Sequence, residues 1–430
     1  MNSRSLAALA ALALSSLCFA DCRVGAYRTA HGEVIDVAPS LDKTLRWRKS
    51  DGATGSLVEG DDGAWKSHAG WTGKPDGIVV GFDCERGTLR FAGTSARRVP
   101  LSVAESRFAA GDVTLAGRLV LPPGRRRVPI VILVHGSEDS SALETYAMQR
   151  LLPAQGIGVY VYDKRGTGVS GGKYTQDFTR LAEDAVAAMQ DARRLAGRRA
   201  GRLGYLGTSQ GGWVAPLAAL RAPVDFTIVA YGLAVSVIDE DLQAIELEMQ
   251  LKGHDAATIA KAQEVAKAAH VVIESGFTTG FDGFDAVRAR YRDEPWYRDL
   301  HGNFTHFFLP MDEARLRAAA RQFDWGTPWR YDPLPALRAL DVPQLWILGE
   351  DDLDAPSAVT ARLLGELAAA GKPITIAMFP GAEHGMTEYE TAADGARVST
   401  RFSPGYYEIL RDYARGRLAD RYGRARLSRP

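Results

Sequence analysis

A serine, a run of acids and a histidine follow one another along this 430-residue chain in an order that suits nucleophilic chemistry. Ser209 lies in the stretch GTSQG, the acids lie in GEDDLDAP, and His384 lies in PGAEHG. A serine hydroxyl is a poor nucleophile until a base removes its proton, and a histidine serves as that base when a carboxylate orients it. The order therefore predicts a reactive serine at position 209.

The local sequence around Ser209 is typical of a sharp turn between a buried strand and a helix. Gly207 and Gly211 provide small residues two positions on either side of the serine, where the backbone must pass close to itself. The backbone N–H of Gln210, at the start of the helix, would face negative charge that develops beside the hydroxyl. The motif alone also fits a plain glycine-rich turn, because the chain contains 44 glycines, so the surrounding elements carry the prediction.

Those elements indicate a parallel α/β sheet. Continuous apolar runs are typical of strands buried on both faces, and here they alternate with helix-period segments, as expected of an α/β fold. The runs are VPIVILVHG, IGVYVYD, RLGYLG, DFTIVAYG, PQLWILG and ITIAMFPG. Residues 236–335 contain no such run but have amphipathic, aromatic-rich segments. We expect a helical cap there, whose aromatic side chains form its own core or cover a pocket.

The N-terminal part differs in pattern. Residues 21–104 alternate short β-prone runs with turn-forming stretches, which predicts a small antiparallel β module. Residues 1–20 place Arg4 before an apolar run shorter than a spanning helix needs, which favours a cleaved signal peptide over a membrane anchor. We therefore expect a secreted or periplasmic protein with no stable membrane span after cleavage. The Arg-rich residues 419–430 are expected to form a frayed basic tail.

Cysteine usage fits an oxidising compartment. Cleavage after Ala20 would remove Cys18 and leave Cys22 and Cys84, for which a disulfide is one prediction and two buried thiols are the alternative. No Cys/His cluster has zinc spacing, so no metal is expected. Lys plus Arg and Asp plus Glu both number 52, and this balance argues against a nucleic-acid partner. Composition does not indicate an oligomeric state.

Five stretches between residues 105 and 418 resemble the α/β-hydrolase superfamily when taken together and in order: VHG, DKRGTG, GTSQG, GEDD and AEHG. The likeness is greatest to secreted bacterial esterases related to dienelactone hydrolases and to prolyl-oligopeptidase-type serine peptidases. The family's acid loop, G-x-x-D-x-x-V-P, selects Asp352, with Ala355 in place of valine; Asp351 and Asp354 remain alternatives. The resemblance also implies a second oxyanion donor at the backbone N–H of Gly136 or Ser137, and no cofactor.

One motif has a competing interpretation. In YDKRGTGVSGG, Gly166, Gly168 and Gly171 match the spacing G-x-G-x-x-G of dinucleotide sites, but no acid-ended second strand follows at the required distance. We therefore interpret these glycines as structural turns.

The sequence thus predicts a secreted serine hydrolase that cleaves carboxylic esters through an acyl-enzyme. A serine exopeptidase is an alternative, in which cap acids hold the amine of a short peptide. The candidate acids are Asp239, Glu240 and Asp241. A non-catalytic envelope protein on a hydrolase scaffold is a third possibility.

Overall fold

The computed structural model describes residues 21–40, 44–61 and 63–430. The predicted signal peptide, with Cys18, lies outside these residues. The described chain forms a small β-barrel, a large mixed sheet with helices on both faces, and a helical cap inserted before the seventh strand of that sheet. This architecture confirms the predicted fold class.

The barrel consists of eight short antiparallel strands that pair in chain order, and its first strand pairs with its last at Tyr27 and Arg98. Tyr27, Ile35 and Trp47 are buried in its core, where the Trp47 ring meets Phe91 edge-on at 4.9 Å. The strands are β1 (Gly25–Thr29), β2 (Val34–Pro39), β3 (Leu45–Lys49), β4 (Thr54–Glu59), β5 (Trp65–Ala69), β6 (Pro75–Asp83), β7 (Thr88–Phe91) and β8 (Thr94–Arg98).

Cys22 and Cys84 form a disulfide that ties the segment before β1 to the turn after β6. The bond links residues 62 positions apart. In the double variant Cys22→Ser, Cys84→Ser we expect the free energy of unfolding to fall by about 2–4 kcal/mol, because the unfolded chain gains loop freedom. Denaturant unfolding under non-reducing conditions measures this difference. Wild-type protein treated with reductant should match the double variant, and identical midpoints for the variant and untreated wild type would contradict the prediction.

The large sheet has nine strands in the order β19-β16-β15-β14-β13-β11-β12-β10-β9. The strands β11 to β16 pair in parallel, while β9, β10 and β19 join antiparallel at the two edges. The strands are β9 (Ser102–Ala110), β10 (Val113–Leu121), β11 (Val128–Val134), β12 (Gly158–Tyr162), β13 (Ala200–Thr208), β14 (Phe226–Ala230), β15 (Gln344–Gly349) and β16 (Ile374–Phe379), a separate hairpin of β17 (Thr387–Thr391) and β18 (Arg397–Phe402), and β19 (Arg426–Ser428).

The sheet is buried on both faces, since an apolar core lies against each face and successive side chains of a strand point to opposite sides. In β11, Ile130 and Ile132 join one apolar core, and Val131 and Leu133 join the other. The helices are α1 (Ala142–Thr145), α2 (Met148–Leu151), α3 (Phe178–Ala196), α4 (Gly211–Arg221), α5 (Val237–Leu251), α6 (Ala256–Glu274), α7 (Phe281–Tyr291), α8 (Thr305–Phe308), α9 (Glu313–Ala319), α10 (Leu334–Ala339), α11 (Ser357–Ala369) and α12 (Tyr406–Ala414).

Helices α5 to α9 form the cap and have an apolar core of their own, which includes Met249, Phe284 and Phe308. Part of the aromatic enrichment in this region is therefore explained by packing within the cap. No helix in the described part of the chain combines the length and hydropathy needed to cross a membrane.

The C-terminal segment is not a frayed tail. Strand β19 pairs antiparallel with β16, with Met378 opposite Arg426 and Ile376 opposite Ser428. An ion pair between Arg426 and Glu350 adds a side-chain contact. The prediction from composition was wrong because the edge of β16 offers backbone hydrogen bonds that an Arg-rich strand satisfies as well as any other.

The barrel contacts the β17–β18 hairpin, which follows His384 directly. The backbone N–H of Trp71 donates to the Ser399 carbonyl at 2.9 Å, and that of Phe402 donates to the Gly52 carbonyl at 2.9 Å. Arg397, at the start of β18, reaches out of the hairpin. It donates to the Asp351 carbonyl oxygen at 2.7 Å and to the Glu383 carboxylate at 2.9 Å. These contacts connect the barrel to the loops that carry the predicted acid and histidine.

Candidate active site

Ser209 lies on a strained turn between β13 and α4. Its φ is +51°, in the left-handed region that non-glycine residues seldom occupy. A Cβ on Gly207 would lie 2.2 Å from the Gly211 carbonyl oxygen, and one on Gly211 would lie 2.1 Å from that of Val134. Both positions therefore require glycine, and the turn presents the Ser209 side chain at the carboxyl end of the parallel strands.

A chain of hydrogen bonds joins the three predicted side chains. Ser209 Oγ lies 3.0 Å from His384 Nε2, and His384 Nδ1 lies 3.0 Å from Asp352 Oδ2. Asp352 is 1% exposed and follows β15, while His384 follows β16. Because β13, β15 and β16 run parallel in one sheet, their carboxyl ends bring side chains from distant parts of the sequence together.

The structure brings Asp352, rather than its neighbours, to His384. Asp352 Oδ1 also accepts the Ala355 backbone N–H at 2.7 Å, which fixes the carboxylate. Asp351 Oδ2 instead accepts the Tyr389 hydroxyl at 2.9 Å. Asp354 lines the cavity described below. The three aspartates of this loop thus have three different surroundings.

The surroundings of His384 raise its affinity for a proton, and it is the unprotonated imidazole that can take the Ser209 proton. Burial alone lowers the pKa of His384, but the Asp352 carboxylate, with smaller contributions from Asp354 and Glu240, raises it to about 9. A carboxylate that stabilises an imidazolium in this way makes the histidine a stronger acceptor for the Ser209 proton.

The residues predicted to supply backbone N–H donors lie beside Ser209. Gly136, Ser137 and Gln210 line one cavity with Ser209, and a Cβ on Gly136 would lie 3.2 Å from Ser209 Cβ. Among the residues described, the backbone N–H groups of Ser137 and Gln210 have no hydrogen-bond acceptor. Both N–H groups are thus without a partner in the described chain, and both residues line the cavity that contains Ser209.

The cavity has a volume of about 970 Å³ and lies between the sheet and the cap. Part of its wall is aromatic side chains from the cap: Phe304, Phe307, Phe308, Phe323, Trp325 and Trp329. It also contains five acidic side chains: Glu138, Asp139, Glu240, Glu248 and Asp354. None of the described residues that line it is Lys or Arg. The cap therefore contributes both aromatic and acidic side chains to the cavity, since Glu240 and Glu248 lie on α5.

The three cap acids that the sequence suggested as amine-binding residues have different surroundings in the structure. Glu240 lines the cavity, and burial raises its pKa to about 8 although His384 lowers it. Asp239 is exposed and accepts the Ser236 hydroxyl at 2.6 Å. Asp241 is buried and bonds His270 at 2.8 Å. Glu138 and Glu248 were missed, because no sequence motif marks a wall residue that tertiary packing places there.

The glycine-rich loop after β12 is packed against the protein. A Cβ on Gly166 would lie 2.0 Å from the Tyr174 backbone nitrogen, and one on Gly168 would lie 1.9 Å from Asp163 Oδ2. These glycines allow close approach of protein atoms, as turns do. In the part of the chain that the structure describes, no group of three or more His, Cys, Asp or Glu side chains is arranged to hold a metal ion.

Comparisons with known proteins found one family match and several similar solved structures. Residues 126–263 match the sequence model of a family described as serine aminopeptidase, S33. No curated protein matches the chain. Among solved structures, the Pyrococcus horikoshii acylaminoacyl peptidase is similar at 14% identity and a TM-score of 0.42, covering 82% of this chain and 50% of its own. This chain thus spans about half the length of that peptidase.

Two further solved structures are similar at a comparable level. The Pyrococcus furiosus esterase PF2001 has 14% identity and a TM-score of 0.41, covering 66% of this chain and 84% of its own. Est1E from Butyrivibrio proteoclasticus, solved with ferulic acid, has 15% identity and a TM-score of 0.39, covering 72% and 96%.

Proposed function

We propose that this chain, an α/β-hydrolase by its fold and by the family match of its central segment, is a secreted serine hydrolase that cleaves carboxylic esters through an acyl-enzyme. The observation that carries the proposal is the hydrogen-bonded series Ser209, His384 and Asp352 at the carboxyl ends of three parallel strands. The disulfide between Cys22 and Cys84 and the predicted signal peptide support an oxidising location outside the cytoplasm.

In the proposed mechanism, Ser209 Oγ attacks the ester carbonyl carbon while His384 Nε2 takes the hydroxyl proton. The carbonyl oxygen becomes an oxyanion that accepts hydrogen bonds from the backbone N–H groups of Gln210 and Ser137. His384 then gives its proton to the leaving alcohol as the C–O bond breaks. A water molecule, deprotonated by His384, releases the acid from Ser209 by the same steps in reverse order. Asp352 holds the imidazole orientation throughout.

The aromatic wall of the cavity supports an apolar acyl or aryl group in the substrate, because such a surface gains free energy when it is covered. The test is a panel of p-nitrophenyl esters of increasing acyl length, with thioesters and aminoacyl amides included. We expect kcat/KM to be higher for esters than for amides and to rise with acyl length. Turnover restricted to the amides would contradict an esterase.

A second candidate, an exopeptidase that cleaves after a free amino terminus, is favoured by the charge of the cavity. Its five acidic side chains, with no lysine or arginine among the described lining residues, suit a substrate ammonium group, whose charge would itself favour the ionised form of Glu240. Glu240 lies near enough to His384 for their charges to interact, so an amine bound to Glu240 would lie close to the reacting carbonyl. The description of the matching family, serine aminopeptidase, also supports this candidate.

Glu240→Gln distinguishes the two candidates. If Glu240 holds an ammonium group, KM for an aminoacyl p-nitroanilide should rise by about tenfold, the loss of one charge-assisted hydrogen bond. KM for the neutral ester p-nitrophenyl butyrate should stay unchanged. Glu246→Gln, an exposed acid on the same helix and outside the cavity, is the matched control. Equal KM changes for the two substrates would argue against an amine site at Glu240.

A further inference from the structure

Lys164 is a buried cation that the proposed mechanism does not use. It lies in the DKRGTG stretch after β12 and is 3% exposed. Its Nζ donates to the Gly136 carbonyl oxygen at 2.6 Å. Burying an ammonium group is costly unless it is paired, and this one is directed at a peptide of the loop beside Ser209.

The bonded carbonyl belongs to the same peptide unit as the Ser137 N–H. The described chain contains no cis peptide bond, and in a trans peptide the C=O and N–H groups point in opposite directions. A cation that holds the Gly136 oxygen on one side therefore directs the Ser137 N–H to the other side. Both residues line the cavity with Ser209.

We propose that Lys164 is a positioning residue of the oxyanion site: its ammonium holds and polarises the Gly136–Ser137 peptide so that the Ser137 N–H faces the developing oxyanion. This inference rests on the proposed serine hydrolase function. Polarising the peptide and orienting it both favour the hydrogen bond to the oxyanion. A charge-assisted bond at the carbonyl oxygen makes the N–H of the same peptide a stronger donor.

Neighbouring groups keep Lys164 in this position. Its Nζ lies 4.9 Å from the centre of the Tyr174 ring, and the Tyr174 hydroxyl donates to the Ser137 carbonyl, so the peptide that follows is held as well. Burial lowers the pKa of Lys164 to about 8, while Glu138 and Asp139 favour its charged form. The ammonium therefore has a carbonyl acceptor, an aromatic face and two acidic neighbours.

An alternative role for Lys164 is to neutralise Glu138 and so stabilise the fold. The two roles differ in what they change. Loss of a positioning residue lowers the rate of steps that pass through an oxyanion and leaves ground-state binding intact. Loss of a purely structural residue lowers the melting temperature and has no selective effect on kcat.

The test compares Lys164→Met with Thr167→Val. Thr167 belongs to the same turn, and its hydroxyl donates to the Lys164 carbonyl at 2.9 Å, so its variant perturbs the loop without removing the ammonium. With p-nitrophenyl butyrate, we expect Lys164→Met to lower kcat by about 10- to 100-fold, less than the loss of a whole oxyanion donor. KM should stay near the wild-type value. Affinity for phenylboronic acid, which forms a tetrahedral adduct on serine, should fall by a similar factor.

Thr167→Val should keep kcat and boronate affinity even if its melting temperature falls. A Lys164→Met enzyme with wild-type kcat and boronate affinity would overturn the inference, as would losses matched by Thr167→Val. If Lys164→Met does not accumulate as folded protein, Lys164→Gln replaces it under the same criteria. Failure of the Lys164 inference can be distinguished from failure of the proposed serine hydrolase function. In the second case Ser209→Ala would retain wild-type ester hydrolysis, whatever the Lys164 variants do.

Discussion

Ser209→Ala is expected to lower kcat for p-nitrophenyl butyrate by about a millionfold, as loss of a serine nucleophile does in enzymes of this mechanism. The substitution removes one oxygen from a half-buried side chain, so the fold should be retained. Because Ser209 Oγ is the atom within 3.0 Å of His384 Nε2, no acyl-enzyme can form without it. The release of p-nitrophenol measures the loss of kcat, and circular dichroism of the same preparation measures retention of the fold.

Ser95→Ala is the matched control, since Ser95 is exposed on the barrel, far along the chain from Ser209. It should hydrolyse the ester at the wild-type rate. If Ser209→Ala retained substantial activity, a residue other than Ser209 would have to be the nucleophile. Absence of activity in the wild type towards the whole panel of esters and amides would favour the non-catalytic alternative.

Asp352→Asn is expected to lower kcat by about ten-thousandfold, the effect of this change on a buried triad aspartate. Asparagine has almost the same shape but cannot stabilise an imidazolium, and its amide can hold the histidine in the wrong tautomer. The carboxylate is 1% exposed and contacts His384 at 3.0 Å. Its charge is therefore little screened by solvent.

Asp351→Asn and Asp354→Asn are the controls for this prediction, because they remove the same charge from the same loop. Asp351 contacts Tyr389 and Asp354 lines the cavity, so both variants should keep far more activity than Asp352→Asn. The comparison uses kcat for the neutral ester, which a cavity charge affects least. The reverse ranking would show that the acid had been misassigned.

Much of this site could be predicted from short sequence motifs. Gly207 and Gly211 flank Ser209 because the turn leaves no space for a Cβ, and that requirement is visible in a short stretch of letters. The acid loop was ambiguous until the family pattern selected Asp352, and the structure brings that side chain to His384. Apolar runs likewise predicted the parallel strands, since burial on both faces leaves no alternation.

Features that depend on long-range pairing were not predictable in the same way. Closure of the barrel depends on Tyr27 pairing with Arg98, and nothing in either strand specifies the partner. Arg397 joins the acid loop to the histidine loop through Asp351 and Glu383, although its surroundings in the sequence are those of an ordinary hairpin. Lys164 was passed over inside a glycine-rich motif, because its acceptor at Gly136 is contributed by a different strand end.

In the proposed site, Ser209 is the nucleophile and His384 is its base. The most direct measurement is peptide mapping by mass spectrometry after reaction with a fluorophosphonate, which phosphonylates activated serines. We predict a single adduct on Ser209 in the wild type and a strongly reduced adduct in His384→Ala with its fold intact. An adduct on a different serine, or equal labelling of Ser209 without His384, would contradict the assignment.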